Sequence, residues 1–249
     1  MIMKKGIHML EISNNSTGTV NVIHPTIIWD DKDLILVDTG YPGNLNEFRD
    51  GIEKAGVSFE RLTKILITHQ DIDHIGSLPT ILEESPKKID VYASAIEKPF
   101  IQGEKMILRI TPESIEKALE SLPPEVPEDF RRAFKFRLEN PPKAKVDHVI
   151  EGGHELPNCG GVIAIDTAGH TPGHLSFYHK ASKTLIAGDA LIVKEGQLYQ
   201  ADPKYTLDNE TAMKSLENLL HYDIEKVICY HGGLFAGNVH ERLLEILKA

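Results

Sequence analysis

Apolar positions fall in short runs along most of the chain. Residues 7–12, 19–29 and 33–37 are rich in β-branched and aliphatic side chains and are separated by Asn, Gly and Asp, which predicts three strands. In 44–55, Leu45, Phe48, Ile52 and Ala55 recur at helical spacing and Gly56 follows as a stop, so a helix is expected. The aliphatic run 62–68 is too short for a helix and reads as a buried strand. After a polar turn, 75–83 reads as a helix and 90–92 as the start of another strand.

The stretch 96–147 breaks this pattern. Between Thr111 and Pro142 it holds six of the 14 prolines, with charged helical pieces at 113–121 and 128–138 and modest apolar content. A helical insertion is expected here, not a second domain, so 1–249 reads as one domain. Strand patterns return at 148–150, 162–166, 175–179 and 184–187. An amphipathic helix at 207–220, a strand at 226–230 and a closing helix at 238–248 complete the chain. Because each sheet must cover both faces, two such groups point to an α+β fold of two sheets packed face to face with helices outside.

Composition narrows the partners. Lys and Arg total 27 against 37 for Asp and Glu, a formal charge of -10 that repels phosphate backbones, so no nucleic-acid partner is expected. No apolar run approaches the roughly 18–20 residues that cross a bilayer, and no apolar stretch follows the N-terminal lysines. With only two cysteines, Cys159 and Cys229, there is no disulfide framework. A cytoplasmic protein without a membrane partner is expected. The 12 histidines are many for this length, and several stand beside Asp or Gly.

Those histidines gather at strand ends. His69-Gln70-Asp71-Ile72-Asp73-His74 directly follows the strand at 62–68. In an extended segment, residues two apart share a side, so His69, Asp71 and Asp73 converge, and the turn into the helix at 75 swings His74 to the same pocket. In 166–174, His170 lies between glycines that let the backbone pass close to a bound centre. Asp189 and His231 each end an aliphatic strand. Strand ends that converge are how a rigid scaffold builds a site.

In this order, the segments from Asp38 to His231 resemble the metal-binding motifs of the metallo-β-lactamase superfamily. The resemblance implies an αββα sandwich of two mixed β-sheets flanked by helices, with the site at one edge. It implies His69, Asp71 and His170 as ligands of a first metal, Asp73, His74 and His231 as ligands of a second, and Asp189 as the bridge. Asp38, in Val37-Asp38-Thr39-Gly40, corresponds to a buried acceptor behind the ligands. One position departs: the family's motif has a histidine where this chain has Asp71. A carboxylate there adds charge and oxygen character, so zinc remains the first choice while iron and manganese gain ground. His174 is expected to support ligands and not to bind metal, and His24 is a candidate for lining the pocket.

The implied activity is that of a dinuclear metallo-hydrolase. Two divalent cations would lower the pKa of a bridging water toward about 7, making hydroxide available without a serine or cysteine nucleophile. Asp73 is the expected catalytic residue, orienting the hydroxide and passing a proton to the leaving group. Its substrate is expected to be an ester, lactone or thioester of a small molecule. Alternatives are a phosphodiesterase of the same fold and a non-haem diiron redox or oxygen-sensing protein. With few residues after His231, the helical domain with which hydroxyacylglutathione hydrolases bind glutathione is not expected. In the insertion, Phe100, Ile101, Met106, Ile107, Leu108, Phe130, Phe134 and Phe136 read as a core face, a substrate lid or a homodimer surface. Tyr199 or Tyr205 could supply the tyrosine that lactonases place after the bridging aspartate.

Overall fold

The computed structural model describes residues 5–14 and 21–248. Its opening elements are β1 (Gly6–Met9), β2 (Ile12–Asn14), β3 (Asn21–Ile23), β4 (Thr26–Trp29), β5 (Leu34–Val37), α1 (Leu45–Lys54), β6 (Leu62–Leu66), α2 (Ile72–Ile75), α3 (Leu78–Glu84) and β7 (Asp90–Ala93). The insertion carries α4 (Lys98–Ile101), α5 (Pro112–Glu120) and α6 (Glu128–Glu139). Then come β8 (His148–Val149), β9 (Glu155–Leu156), β10 (Val162–Asp166), β11 (Leu175–His179), β12 (Thr184–Gly188), β13 (Leu191–Lys194) and β14 (Gln197–Gln200). Helix α7 (Asn209–Leu216), β15 (Lys226–Cys229), β16 (Gly233–Ala236) and α8 (Val239–Ile246) close the chain.

One six-stranded sheet runs β1-β4-β5-β6-β7-β8 and the other β16-β15-β12-β11-β10-β9. Alternation along the strands sorts their side chains into layers. Ile28, Ile35, Val37 and Leu66 meet Val162, Ala164, Phe177 and Ile186 between the sheets. Their neighbours Ile27, Trp29, Leu34, Leu36 and Ile65 turn outward onto Phe48 and Ile52 of α1 and Leu78 and Ile81 of α3. On the far side, Leu185, Ala187, Val227 and Cys229 pack with Leu216, Leu243 and Ile246. Each such side chain contributes on the order of 1.5–3 kcal/mol by leaving water. The expected αββα sandwich is therefore present, with mixed sheets flanked by helices.

Several boundaries differ from the sequence reading. The run 19–29 divides at His24-Pro25: β3 pairs with β2 in a separate hairpin while β4 joins the large sheet. Pro25 has no N–H to donate, and its carbonyl instead accepts from Leu10 N at 2.8 Å, which divides 7–12 in the same way. Positions 19 and 20 lie outside the described residues. The helix expected at 75–83 is two, because Gly76 N and Ser77 N bond Gly40 O and Thr39 O (2.8 and 3.1 Å) and leave the helical ladder. The helix expected at 207–220 stops at Leu216 and tightens into a 3-10 turn, Glu217–His221. Strands β9, β13, β14 and β16 were not expected; β13 and β14 form a hairpin whose turn, Glu195-Gly196, has φ of 52° and 74°.

Strands β5, β6, β7 and β8 are parallel, as are β12 and β15. The chain leaving β5, β6, β12 and β15 therefore exits at strand C-termini, the edge where open sheets of this kind place their sites. Leu175 N bonds Thr68 O at 3.1 Å, tying the two sheets together at that edge. No helix among the described residues is long and apolar enough to cross a membrane. Both cysteines are buried and free.

Candidate metal centre

Beyond β6 the chain bends at Thr68 and passes His69 to reach Asp71, which is extended and precedes the first turn of α2. Asp73 and His74 lie on that turn; His74 enters from it as expected, whereas Asp73 reaches the site from a helix and not from the extended segment that alternation suggested. His170 comes from the loop between β10 and β11, Asp189 follows Gly188 at the end of β12, and His231 follows β15 by two residues. The structure brings these seven side chains together.

They form two clusters. In the first, Asp71 Oδ2 is 3.4 Å from His69 Nε2 and 3.3 Å from His170 Nε2, which is 3.4 Å from Asp189 Oδ2. In the second, His231 Nε2 is 3.3 Å from Asp73 Oδ2 and 3.5 Å from Asp189 Oδ2, and His74 Nε2 is 3.4 Å from Asp189 Oδ1. Asp189 thus faces both. A tetrahedron with zinc–ligand bonds of about 2.0–2.1 Å has edges of about 3.3–3.4 Å. His69 Nε2, His74 Nε2 and Asp189 Oδ1 are buried with no hydrogen-bond partner among the described residues. A buried polar atom left so costs about 1–3 kcal/mol, which a cation would offset. The donor set and spacing fit a divalent ion in each cluster.

Behind the ring nitrogens lies a bonding chain. Asp38, buried and at φ 61°, accepts from Thr68 N (2.9 Å) and Thr68 Oγ1 (2.8 Å). It also faces His74 Nδ1 at 2.9 Å, while His69 Nδ1 is 3.0 Å from Thr68 Oγ1. The threonine proton goes to Asp38, so His69 donates to the hydroxyl, and His74 donates to the carboxylate. Both rings then carry the proton on Nδ1 and turn a bare Nε2 inward, the tautomer a ligand needs.

His174 uses both nitrogens. Its Nε2 accepts from Asp189 N at 3.0 Å and its Nδ1 meets Thr167 Oγ1 at 2.8 Å, so it positions the Asp189 backbone and has no lone pair for a metal. Gly188 permits this approach: with φ 53°, a Cβ there would lie 2.7 Å from His174 Nε2. His24 bonds Tyr230 O at 3.1 Å and is not among the residues that line the pocket, contrary to the reading that placed it there.

Charge dominates the metal-free site. Burial would lower the His74 pKa, but Asp189, Asp38 and Asp73 raise it well above the ordinary value. Against the same burial effect, Asp189 and Asp73 push His231 up to about 10. Burial raises the Asp71 carboxyl, yet His69, His170 and Arg109 hold it well below the usual range. Burial also lowers His170, leaving it a neutral ring. Protons occupy places suited to cations.

Two residues were not legible from the motifs. Arg109, in the insertion, places Nε 2.7 Å from Asp71 Oδ2, and its Nη2 donates to His170 O at 3.2 Å and to Tyr205 O. Glu97, fully buried, accepts from Gln70 N (3.0 Å), Gln70 Nε2 (2.9 Å), Thr171 Oγ1 (2.8 Å) and Gly173 N (2.8 Å). It stitches the loops of His69 and His170 to the insertion. An unpaired charge at Asp71 was the available hint of a cation elsewhere; no spacing rule marks Glu97. Replacing Glu97 with glutamine turns an amide toward two of those donors and is expected to cost about 2–4 kcal/mol, measured by urea unfolding. Unchanged stability would show that the four bonds are not needed to hold the loops.

The site opens into a cavity of about 530 Å³ lined by Asn21, Val22, Tyr41, Asp71, Asp73, Arg109, His170, Asp189, Ile192, Ala201, Asp202, Tyr205 and His231. From the insertion only Arg109 reaches it among the described residues; Ile101 and Ile107 are core, and Phe130 and Phe136 face solvent. Of the two tyrosines proposed after Asp189, Tyr205 lines the cavity, whereas Tyr199 lies under Arg242 at 5.1 Å.

Comparison with known proteins agrees with this geometry. Residues 18–231 match the family described as the metallo-beta-lactamase superfamily. A probable metallo-hydrolase of Bacillus subtilis, YflN, is 27% identical over 240 residues, covering 92% of this chain and 84% of its own. A metallo-beta-lactamase family protein of Thermus thermophilus superposes with a TM-score of 0.67 at 23% identity, covering 98% of this chain and 78% of that one. An archaeal superfamily protein of Sulfolobus tokodaii gives 0.64 at 21%, covering 98% and 85%.

Proposed function

The chain belongs to the metallo-β-lactamase superfamily, and on that premise we propose that it is a dinuclear zinc hydrolase that cleaves an ester, lactone or thioester of a small molecule. The observation that carries this reading is the sharing of Asp189 between two clusters, each with one buried ring nitrogen, His69 Nε2 and His74 Nε2, that has no hydrogen-bond partner among the described residues. His69, Asp71 and His170 would hold one cation, Asp73, His74 and His231 the other, with Asp189 between them. Bound there, two divalent cations supply Lewis-acid polarisation of the scissile carbonyl and a water acidic enough to ionise near neutral pH.

The protein's own groups do the rest. Asp73 has a side chain 20% exposed at the cavity wall, so its carboxylate can take the proton of the attacking water and deliver it to the leaving group. Tyr41 lines the same wall, and burial, Asp73 and Asp189 raise its pKa, so its hydroxyl stays protonated and can donate to the substrate. Tyr230 donates to Asp73 O and fixes the turn that carries the base.

Wall chemistry favours a carboxylic substrate over a phosphodiester. Asp71, Asp73 and Asp189 would be taken up by the two cations, which leaves Arg109, the sole lysine or arginine among the described lining residues, opposite Asp202 and no surplus of cationic side chains to clasp an anionic diester. Val22, Ile192, Ala201 and Tyr205 offer apolar surface to an acyl chain. Metal-reconstituted protein screened against lactones, thioesters and phosphodiesters should turn over the carboxylic compounds at least about 100-fold faster, a gap of about 2.7 kcal/mol. Preference for the diester would overturn the substrate class. Redox-active iron in the purified protein without ester turnover would overturn the hydrolase reading.

A further inference from the structure

The two clusters are near copies in composition: each has two histidine rings, one aspartate of its own and a share of Asp189. What surrounds them is not alike. Arg109 sits on the first cluster, with Nε 2.7 Å from the Asp71 oxygen that faces both rings and Nη2 3.2 Å from His170 Nε2. The guanidinium neutralises Asp71 and competes for the lone pairs that oxygen would give a cation. The second cluster has the opposite support. His74 is backed at 2.9 Å by the Asp38 carboxylate, whereas His69 in the first is backed by the neutral Thr68 hydroxyl. Both differences favour the second cluster by charge, and in a buried site a unit charge a few ångströms away outweighs small differences in ligand geometry.

We propose that Arg109 makes the two sites unequal, so that a divalent cation fills Asp73–His74–His231 first and tightly and His69–Asp71–His170 second and weakly. Arg109 is a positioning residue that acts through Asp71. The proposal rests on the two-cation reading above, but it concerns binding order and not turnover. The insertion, whose apolar residues do not reach the cavity, contributes this one side chain to the centre.

Titrating chelated, refolded protein with zinc by calorimetry tests the order. Two steps are expected, with dissociation constants at least about tenfold apart. His231→Ala should remove the tight step and His69→Ala the weak one. Arg109→Gln should tighten the weak step and bring the two within about threefold, whereas Arg109→Lys, which keeps the charge, should leave them separated. A cobalt titration read by its visible absorption should show the same order. Equal steps in the unmodified protein, loss of the tight step in His69→Ala, or an unchanged gap in Arg109→Gln would each overturn the proposal. So would complete loss of the weak step in Arg109→Gln, which would mean that the guanidinium holds Asp71 in place and does not set its charge. Should Arg109→Gln fail to fold in circular dichroism, the unmodified, His231→Ala and His69→Ala titrations still decide the order. Two separated zinc steps without hydrolysis would leave this inference standing and remove the hydrolase reading.

Discussion

Asp189→Asn is expected to reduce hydrolysis by more than about 100-fold, the upper end of what loss of a group behind a metal ligand costs. Its carboxylate faces both clusters: Oδ2 lies 3.4 Å from His170 Nε2 in the first and 3.5 Å from His231 Nε2 in the second, and Oδ1 lies 3.4 Å from His74 Nε2 in the second. An amide offers one weak donor oxygen and an NH2 that cannot coordinate, so both clusters lose the carboxylate they share. Elemental analysis of zinc-saturated protein should fall from two metals per chain to one or none. The fold should survive, because His174 holds the Asp189 backbone N–H and not its carboxylate. Two metals retained with full turnover would show that Asp189 is not the shared ligand.

Stripping metal should lower thermal stability substantially and reversibly. Free metal at a thousand times its dissociation constant stabilises the folded state by about 4 kcal/mol per site. For a chain of this size that corresponds to a fall of about 8–16 °C on chelation for one site alone. The cause is visible in the centre: without cations, Asp71, Asp73 and Asp189 crowd together and His69 Nε2 and His74 Nε2 are buried without a hydrogen-bond partner among the described residues. Metal uptake should also release protons. His231 is raised to about 10, so at pH 8 its ring is protonated when metal-free, and Asp189, Asp38 and Asp73 shift His74 in the same direction. His231 must lose its Nε2 proton to become a ligand, and at least about one proton per chain should appear in weakly buffered solution. Affinity then rises with pH up to the pKa of that ring. A scan unaffected by chelator, or uptake without proton release, would contradict the electrostatic description of the centre.

Much of this was legible because it is local. The run His69 to His74 lies within six residues after an aliphatic strand, so its convergence was legible from adjacency, although Asp73 arrives on the first turn of α2 and not by strand alternation. The layered fold follows from alternation too: Ile27 and Ile28 are adjacent in sequence yet belong to different cores. Boundaries failed where a distant backbone took the hydrogen bonds. The break at Gly76 depends on Gly40 and Thr39, more than 30 positions earlier, and no helical period in 75–83 records it.

The clustering of acidic and imidazole groups at strand ends, and the two packed sheets that carry them, were therefore set by short-range pattern, while the resemblance to the family supplied their order as seven candidate ligands. Which oxygens face which rings, the tautomers imposed through Asp38 and Thr68, and the service of His174 to the Asp189 backbone were decided only by the folded chain. So was the meeting of Arg109 with Asp71, 38 residues apart, and of Glu97 with loops on both sheets. Hydrophobic period reports which face of an element is buried. Charge pairing instead depends on distances of a few ångströms between groups far apart in sequence, and packing alone sets those.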